Sequence, residues 1–173
     1  MDHFIPGRQT LSAVWQEHMQ AEFVHKDADE ALTTMIDEPH VLCVGSGTGG
    51  RGRAEVREFF ARHFLPNIPP DFELRPLSQV FGGGYVVEEF VVRFTHSLTM
   101  DWMLPGVPAT DRKVEVAVVA VIRFEDGKIA HEHLYWDQAT VLSQIGMLGH
   151  PVARAGMASA AHLLLLSEGR GIC

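Results

Sequence analysis

FEDGKIAHEHLYWDQATVLSQIGML, residues 124–148, holds a turn, a strand and the start of a helix in one continuous run. Glu125-Asp126-Gly127-Lys128 reads as a tight hairpin turn, because Asp-Gly accepts the left-handed backbone that a two-residue connection demands. Residues 129–137 then alternate, so His131, His133, Tyr135 and Asp137 share one face, and Ala130, Glu132, Leu134 and Trp136 the other. After Asp137 the period lengthens. Leu142, Ile145 and Leu148 recur at helical spacing, which places a carboxylate where strand gives way to helix.

Upstream of this run the alternation continues. Val114 to Phe124 reads as a strand, as do residues 73–81, and Gly82 to Gly84 form a turn. Tyr85 to Met103 reads as one long strand with Phe90, Val92, Phe94, Leu98 and Trp102 on a common face, joined there by Glu88 and His96. The N-terminal half is different. Leu11, Trp15, Met19 and Phe23 stand four apart within residues 8–26, DADEALTTMID supplies a second, shorter helix stopped by Pro39, and RAEVREFFARHFL a third. Between the last two lie a short strand, His40 to Val44, and the glycine-rich GSGTGG. Three helices followed by an antiparallel meander is an α+β order: helices on one side of a curled sheet whose mouth is a natural pocket. Residues 1–150 read as one domain, and 151–173, with Met157, Ala161, Leu164 and Leu165, as a C-terminal helical tail packed on the domain or on a neighbour.

Composition narrows the function classes. With 173 residues, 46% hydrophobic and 21% charged, the chain has the balance of one soluble domain. A net charge of −8, with Glu55 and Glu58 interrupting the arginines at 51, 53, 57 and 62, argues against nucleic acid as a partner. No run of eighteen apolar residues exists and MDHFIPGRQT lacks a signal peptide's pattern, so a cytoplasmic protein without membrane association is expected. Cys43 sits in an apolar run and Cys173 is the last residue, which gives no disulfide framework. GSGTGG lacks the Gly-Lys-Ser/Thr ending of a phosphate loop and the glycine spacing of a dinucleotide fingerprint.

FTHSLTMDWMLPGVPATDRKVEV and FEDGKIAHEHLYWDQATVLSQIGML resemble the SnoaL-like branch of the nuclear transport factor 2-like superfamily, over roughly residues 10–148. The resemblance rests on a Thr-His segment, a Gly-x-Pro turn and a Gly-Lys-Ile strand ending in Trp-Asp; GVPATDRK departs from the usual turn in its second half. It implies the nuclear transport factor 2-like cone, three N-terminal helices packed in a strongly curved antiparallel sheet, together with frequent dimerisation and a deep apolar pocket. Polyketide cyclases, dehydratases, isomerases, epoxide hydrolases and noncatalytic binders all use that frame, so the fold does not choose among them. Asp137 also falls at a catalytic position of limonene-type epoxide hydrolases. Their arginine–aspartate pair has no counterpart around EEFVVRF, which demotes epoxide opening.

The expected activity is cofactor-independent acid–base chemistry, that of a lyase, isomerase or cyclase, on a small hydrophobic carbonyl-containing molecule. Asp137 would be the base, its pKa raised by an apolar cone, with His133 and Tyr135 donating to a developing enolate and His96 as a further catalytic candidate. Asp137 reads equally well as the cap of the helix that follows it. Trp15, Met19, Phe23, Phe60 and His63 would form a helical wall for substrate, and Glu88, Phe90, Phe94 and Trp102 a sheet wall. Glu88 and His96 are too far apart along an extended strand to pair, about 26 Å. The alternative class is a noncatalytic ligand-binding or interaction module.

His131 and His133 form a pair suited to metal ligation if a third ligand lies close. The nearest candidate, His96, falls two strands away, about 10 Å, so no metal is expected. A homodimer is expected through the outer face of the sheet, with Glu89, Val91, Arg93, Thr95 and Ser97 on one strand and Glu115, Ala117, Val119 and Val121 on the next.

Overall fold

The computed structural model describes residues 8–148 and 157–168. Helix α1 (Arg8–Gln20) buries Leu11, Trp15 and His18 on one stripe and runs into a π-helical turn, Ala21–His25, that buries Ala21 and Glu22. Lys26 ends it in the left-handed region at φ 53°. The Asp27 carboxylate then accepts from the backbone N–H groups of Asp29 and Glu30 at 2.9 and 3.0 Å, which starts α2 (Ala28–Thr33).

Helix α2 is shorter than the sequence suggested. Met35–Cys43 is a strand, β1, and Pro39 lies within it at an irregularity rather than at a helix end. The β-branched Thr33, Thr34 and Ile36 oppose helix continuation, and the neighbouring strand offers a partner: Ile129 donates its N–H to Thr34 O at 2.9 Å. A brief strand missed in the sequence, β2 (Thr48–Arg51), folds back on β1. Three of the glycines between and within these strands, Gly45, Gly49 and Gly50, serve close approach. A Cβ on Gly49 would sit 2.0 Å from Val41 O, and one on Gly45 would lie 2.6 Å from the Trp136 ring.

Helix α3 (Gly52–Glu58) continues as a π-helical segment, Phe59–Phe64, and ends in a 3-10 turn, Leu65–Asn67. The meander follows as β3 (Glu73–Gly82), β4 (Tyr85–Thr95), β5 (Lys113–Glu125) and β6 (Lys128–Trp136). Asp126 and Gly127, at φ 48° and 80°, make the expected tight turn between β5 and β6. The six-stranded sheet has the order β2-β1-β6-β5-β4-β3, antiparallel except for the parallel β1–β6 pair. Strand β4 stops at Thr95, eight residues before the expected end at Met103. Residues 96–112 form a loop closed by His96 N–H to Arg112 O, 2.9 Å, and Thr110 N–H to His96 O, 3.0 Å.

Alternation decides what faces inward. Every second residue of β5 from Val114 to Phe124 is buried, and Glu88, Phe90, Val92 and Phe94 of β4 point to the same core. Helix α4 (Gln138–Gln144) closes the end of β6, and α5 (Met157–Ser167) lies on the outer face of the sheet, where Ala160 and Leu164 bury Val91. Val91 is thus covered by the chain's own tail, and Arg93 is ion-paired to Glu115 beside it. No helix among the described residues is long and apolar enough to cross a membrane.

Candidate functional site

The concave side of the sheet and the helices enclose one apolar cavity, walled by Trp15, Met19 and Phe23 from the first helical segment, Phe64 and Phe72, Phe90 and Val92 from β4, Val118 and Ala120 from β5, and Leu134 and Trp136 from β6. Trp102 and Met103 of the long loop close it, with Trp102 edge-on to both Phe64 and Trp136 at 5.0 and 6.2 Å between ring centres. The hydroxyls of Ser46 and Thr48 donate to Trp102 O at 2.6 and 2.7 Å, which pins the loop to the β1–β2 hairpin. The cavity holds about 30 Å³, room for water but not for a molecule of several carbons.

The three tryptophans in this wall already have partners for their indole N–H groups. Trp15 donates to Glu88 at 2.6 Å, Trp102 to Asn67 O at 3.3 Å and Trp136 to the Gln138 side chain at 2.6 Å. Two carboxylates, Glu22 and Glu132, remain as polar groups of the wall. They converge on His18, whose Nε2 stands 3.4 Å from Glu22 and 3.5 Å from Glu132. The other face of the imidazole is fixed. Nδ1 donates to Thr34 Oγ1 at 2.7 Å, and that hydroxyl donates onward to Ala31 O at 2.7 Å. All three residues are buried, at 0%, 2% and 3% exposure for His18, Glu22 and Glu132. His18 Nε2 and Glu132 Oε2 face each other at 3.5 Å as an ion pair without the geometry of a hydrogen bond.

Electrostatics follow from this packing. Burial works against a charge on His18, but the facing carboxylates outweigh it and push its pKa up to about 10. Burial, and after it the negative charge of Glu132, pushes Glu22 up to about 7, although His18 opposes the shift. The cluster therefore sets an imidazolium beside a Glu22 carboxyl poised to exchange its proton near neutrality. The same three residues each offer a donor atom within 4.8 Å of the others, a set that could also hold a cation.

The sequence expectations divide on this geometry. Trp15, Met19, Phe23, Phe90 and Trp102 line the cavity. Glu88 lies behind the wall, bonded to Trp15, and burial raises its pKa despite that bond. Phe60 packs on His18, with ring centres 5.9 Å apart, and Phe94 stacks on Phe72, both as core. His63 is exposed on the far side of its helical segment. His96 is buried at the end of β4 with Nδ1 on Thr110 Oγ1 at 3.0 Å, outside the cavity wall.

The face assigned to the proposed catalytic trio is corrected. Ala130, Glu132, Leu134 and Trp136 form the inner face of β6, so His131, His133 and Tyr135 stand on the outside, Tyr135 at 43% exposure. Asp137 is exposed and caps α4, accepting from Ala139 N–H at 3.0 Å and Thr140 Oγ1 at 2.6 Å. It does not reach the cavity, and the cap reading prevails over the base. Outside, burial and then the charges of its histidine neighbours and Arg123 push His131 down to about 4; burial and His40 lower His133 as well. His18 and Glu22, missed from sequence, sit at i+3 and i+7 from Trp15, on the stripe already read as buried.

No curated protein matches the sequence significantly. Solved structures do. A provisionally assigned SnoaL-like polyketide cyclase from Jannaschia sp. CCS1 superposes with TM-score 0.65 at 17% identity, over 81% of this chain and 94% of its own. A provisionally assigned polyketide cyclase from Xanthomonas campestris pv. campestris gives 0.64 at 22% identity, over 80% and 98%. AclR of Streptomyces galilaeus, a provisionally assigned hydroxylase, gives 0.62 at 19% identity, over 90% and 99%. At such identities these likenesses establish the cone and nothing of the chemistry. The sequence itself matches the model of the SnoaL-like domain over residues 8–132, more than half of its length, and with that match and the helix-filled cone the chain belongs to the SnoaL-like family.

Proposed function

We propose that the protein is a small-molecule acid–base enzyme, of the lyase, isomerase or cyclase kind, and that His18, Glu22 and Glu132 carry its chemistry in place of Asp137, His133 and Tyr135. The observation that carries this reading is the pair of carboxylates in an otherwise apolar wall, both facing one buried histidine. A hydrophobic molecule with an enolisable carbonyl matches the chemistry of such a wall. Glu132 would take a proton from the carbon next to the carbonyl while the Glu22 carboxyl donates to the carbonyl oxygen. Returning a proton at another carbon isomerises the molecule, and attack of the enol carbon on a second carbonyl closes a ring. His18, held by Thr34, keeps both carboxylates in place and balances their charge. The provisional naming of two structural neighbours as polyketide cyclases agrees with that substrate class.

The alternative is a noncatalytic binder, and on either reading side chains at the cavity wall must move to admit such a molecule. Proton exchange separates the two readings. Wild-type protein, incubated in heavy water with a panel of apolar cyclic ketones and β-diketones, should speed deuterium uptake next to the carbonyl, and Glu132→Gln should lower that rate by roughly 10²- to 10⁴-fold. Metal-depleted protein should retain the activity. Ligand binding without any exchange in the wild type would make the protein a binder and remove the catalytic reading.

A further inference from the structure

The outer face of β6 presents a second cluster, which the cavity does not use. His131 and His133 lie two residues apart on that face, as the sequence showed, and the third ligand that seemed to be missing comes from β1. Parallel pairing sets His40 opposite His131 and Leu42 opposite His133, so His40 projects beside both. Its Nε2 is 3.0 Å from Nε2 of His133. The rings of His131 and His133 stack with centres 4.2 Å apart, and His40 stands 4.7 and 5.0 Å from them. Each of the three offers one nitrogen within 4.8 Å of the other two, and all three are half-buried.

We propose that His40, His131 and His133 form a binding site for a divalent transition-metal ion of the zinc or nickel kind, with the remaining coordination positions open to water. Imidazole is the side chain best matched to such ions, whereas magnesium and calcium select oxygen. The dimensions suit the ion. Bonds of 2.0–2.1 Å in tetrahedral geometry need donor nitrogens about 3.3 Å apart. His40 and His133 are already near that separation, and rotation of side chains closes the rest. Two paired strands hold the ligands, so little conformational freedom is lost on binding. Arg123 opposes the cation: its guanidinium lies 4.9 Å from the centre of the Tyr85 ring, which itself contacts His131. The site should therefore bind more weakly than a zinc centre with four protein ligands, and should exchange its ion with solvent.

The proposal is independent of the cavity chemistry and is tested on the metal alone. Metal-depleted full-length protein is titrated with Zn²⁺ by calorimetry and with Co²⁺ by visible absorption. One ion per chain is expected, with the visible bands of a nitrogen-ligated Co²⁺ site. His40→Gln and His133→Gln should each weaken Zn²⁺ binding by about a hundredfold or more, while His25→Gln, at an exposed histidine paired with Glu30, should leave it unchanged. Circular dichroism confirms that each variant is folded. Absence of Zn²⁺ binding in the wild type overturns the proposal, as does binding unaffected by the His40 and His133 substitutions. Binding lost in Glu132→Gln but kept in His40→Gln overturns it too, because the ion would then sit at the cavity floor.

Discussion

Raising the pH from 7 to 8.5 should destabilise this protein, and the buried His18 sets the size of the effect. A folded-state pKa of about 10 against the ordinary 6.5 of an unfolded histidine means that the native protein holds a proton over this range that the unfolded chain has released. The stabilisation from that proton is complete below the unfolded pKa and fades as pH rises through the folded one. One excess proton in the native state costs about 1.4 kcal/mol of stability per pH unit, so 1.5 units remove about 2 kcal/mol. Glu22, its folded pKa raised to about 7, contributes in the same direction, but its share ends near neutrality. His131 acts in the opposite sense, with a folded pKa of about 4, but only below its unfolded pKa of 6.5. From these groups stability should be nearly level between about pH 4.5 and 6.5, where the Glu22 and His131 effects oppose each other, and fall above pH 6.5. Urea unfolding at pH 6.5, 7, 8 and 8.5, followed by tryptophan fluorescence, measures the curve. Equal or greater stability at pH 8.5 than at pH 7 would show that His18 is neutral in the native protein, and the charge assignment of the cluster would fail with it.

Two further outcomes follow from the wall and its margins. Asp137→Ala should lower stability by about 1 kcal/mol through loss of the α4 cap, visible as a lower Tm, while leaving proton-exchange activity at the wild-type rate; a collapse of that activity without loss of fold would return Asp137 to the chemistry. Trp15→Phe removes the donor that Glu88 accepts at 2.6 Å and should cost about 1–3 kcal/mol in chemical denaturation, and a Glu88→Gln background should reduce that cost because a neutral amide is cheaper to leave unpaired.

Most of the architecture was legible because it depends on local pattern. The meander from Glu73 to Trp136, the Asp-Gly turn and the burial of α1 along Leu11 and Trp15 all follow from period and turn chemistry. The misreadings lie where a distant partner overrides the local signal. MIDE reads as the end of an acidic helix, yet it becomes strand because β6 supplies a parallel edge, and a parallel pairing across the whole domain leaves no trace in the spacing of either segment. Likewise β4 ends at Thr95 because the chain must turn to place Trp102 over the cavity, although its alternation continues.

The choice of face on β6 shows why the site was harder to read than the fold. Both faces contain ionisable residues, and the face with more of them looked chemically richer. Chemistry inside an apolar cone needs few polar groups, each with a buried partner, because an unpaired charge there is costly. The inner face carries one carboxylate, Glu132, among Ala130, Leu134 and Trp136, and its partner lies on α1. The outer face of β6 can carry two histidines and a tyrosine because water reaches them. A better rule for such a strand is to take the mostly apolar face as inner and then seek a lone opposite charge on a helix stripe already assigned to the core. On this chain that rule leads from Glu132 directly to His18, three residues after Trp15, and from His18 to Glu22 one turn further on.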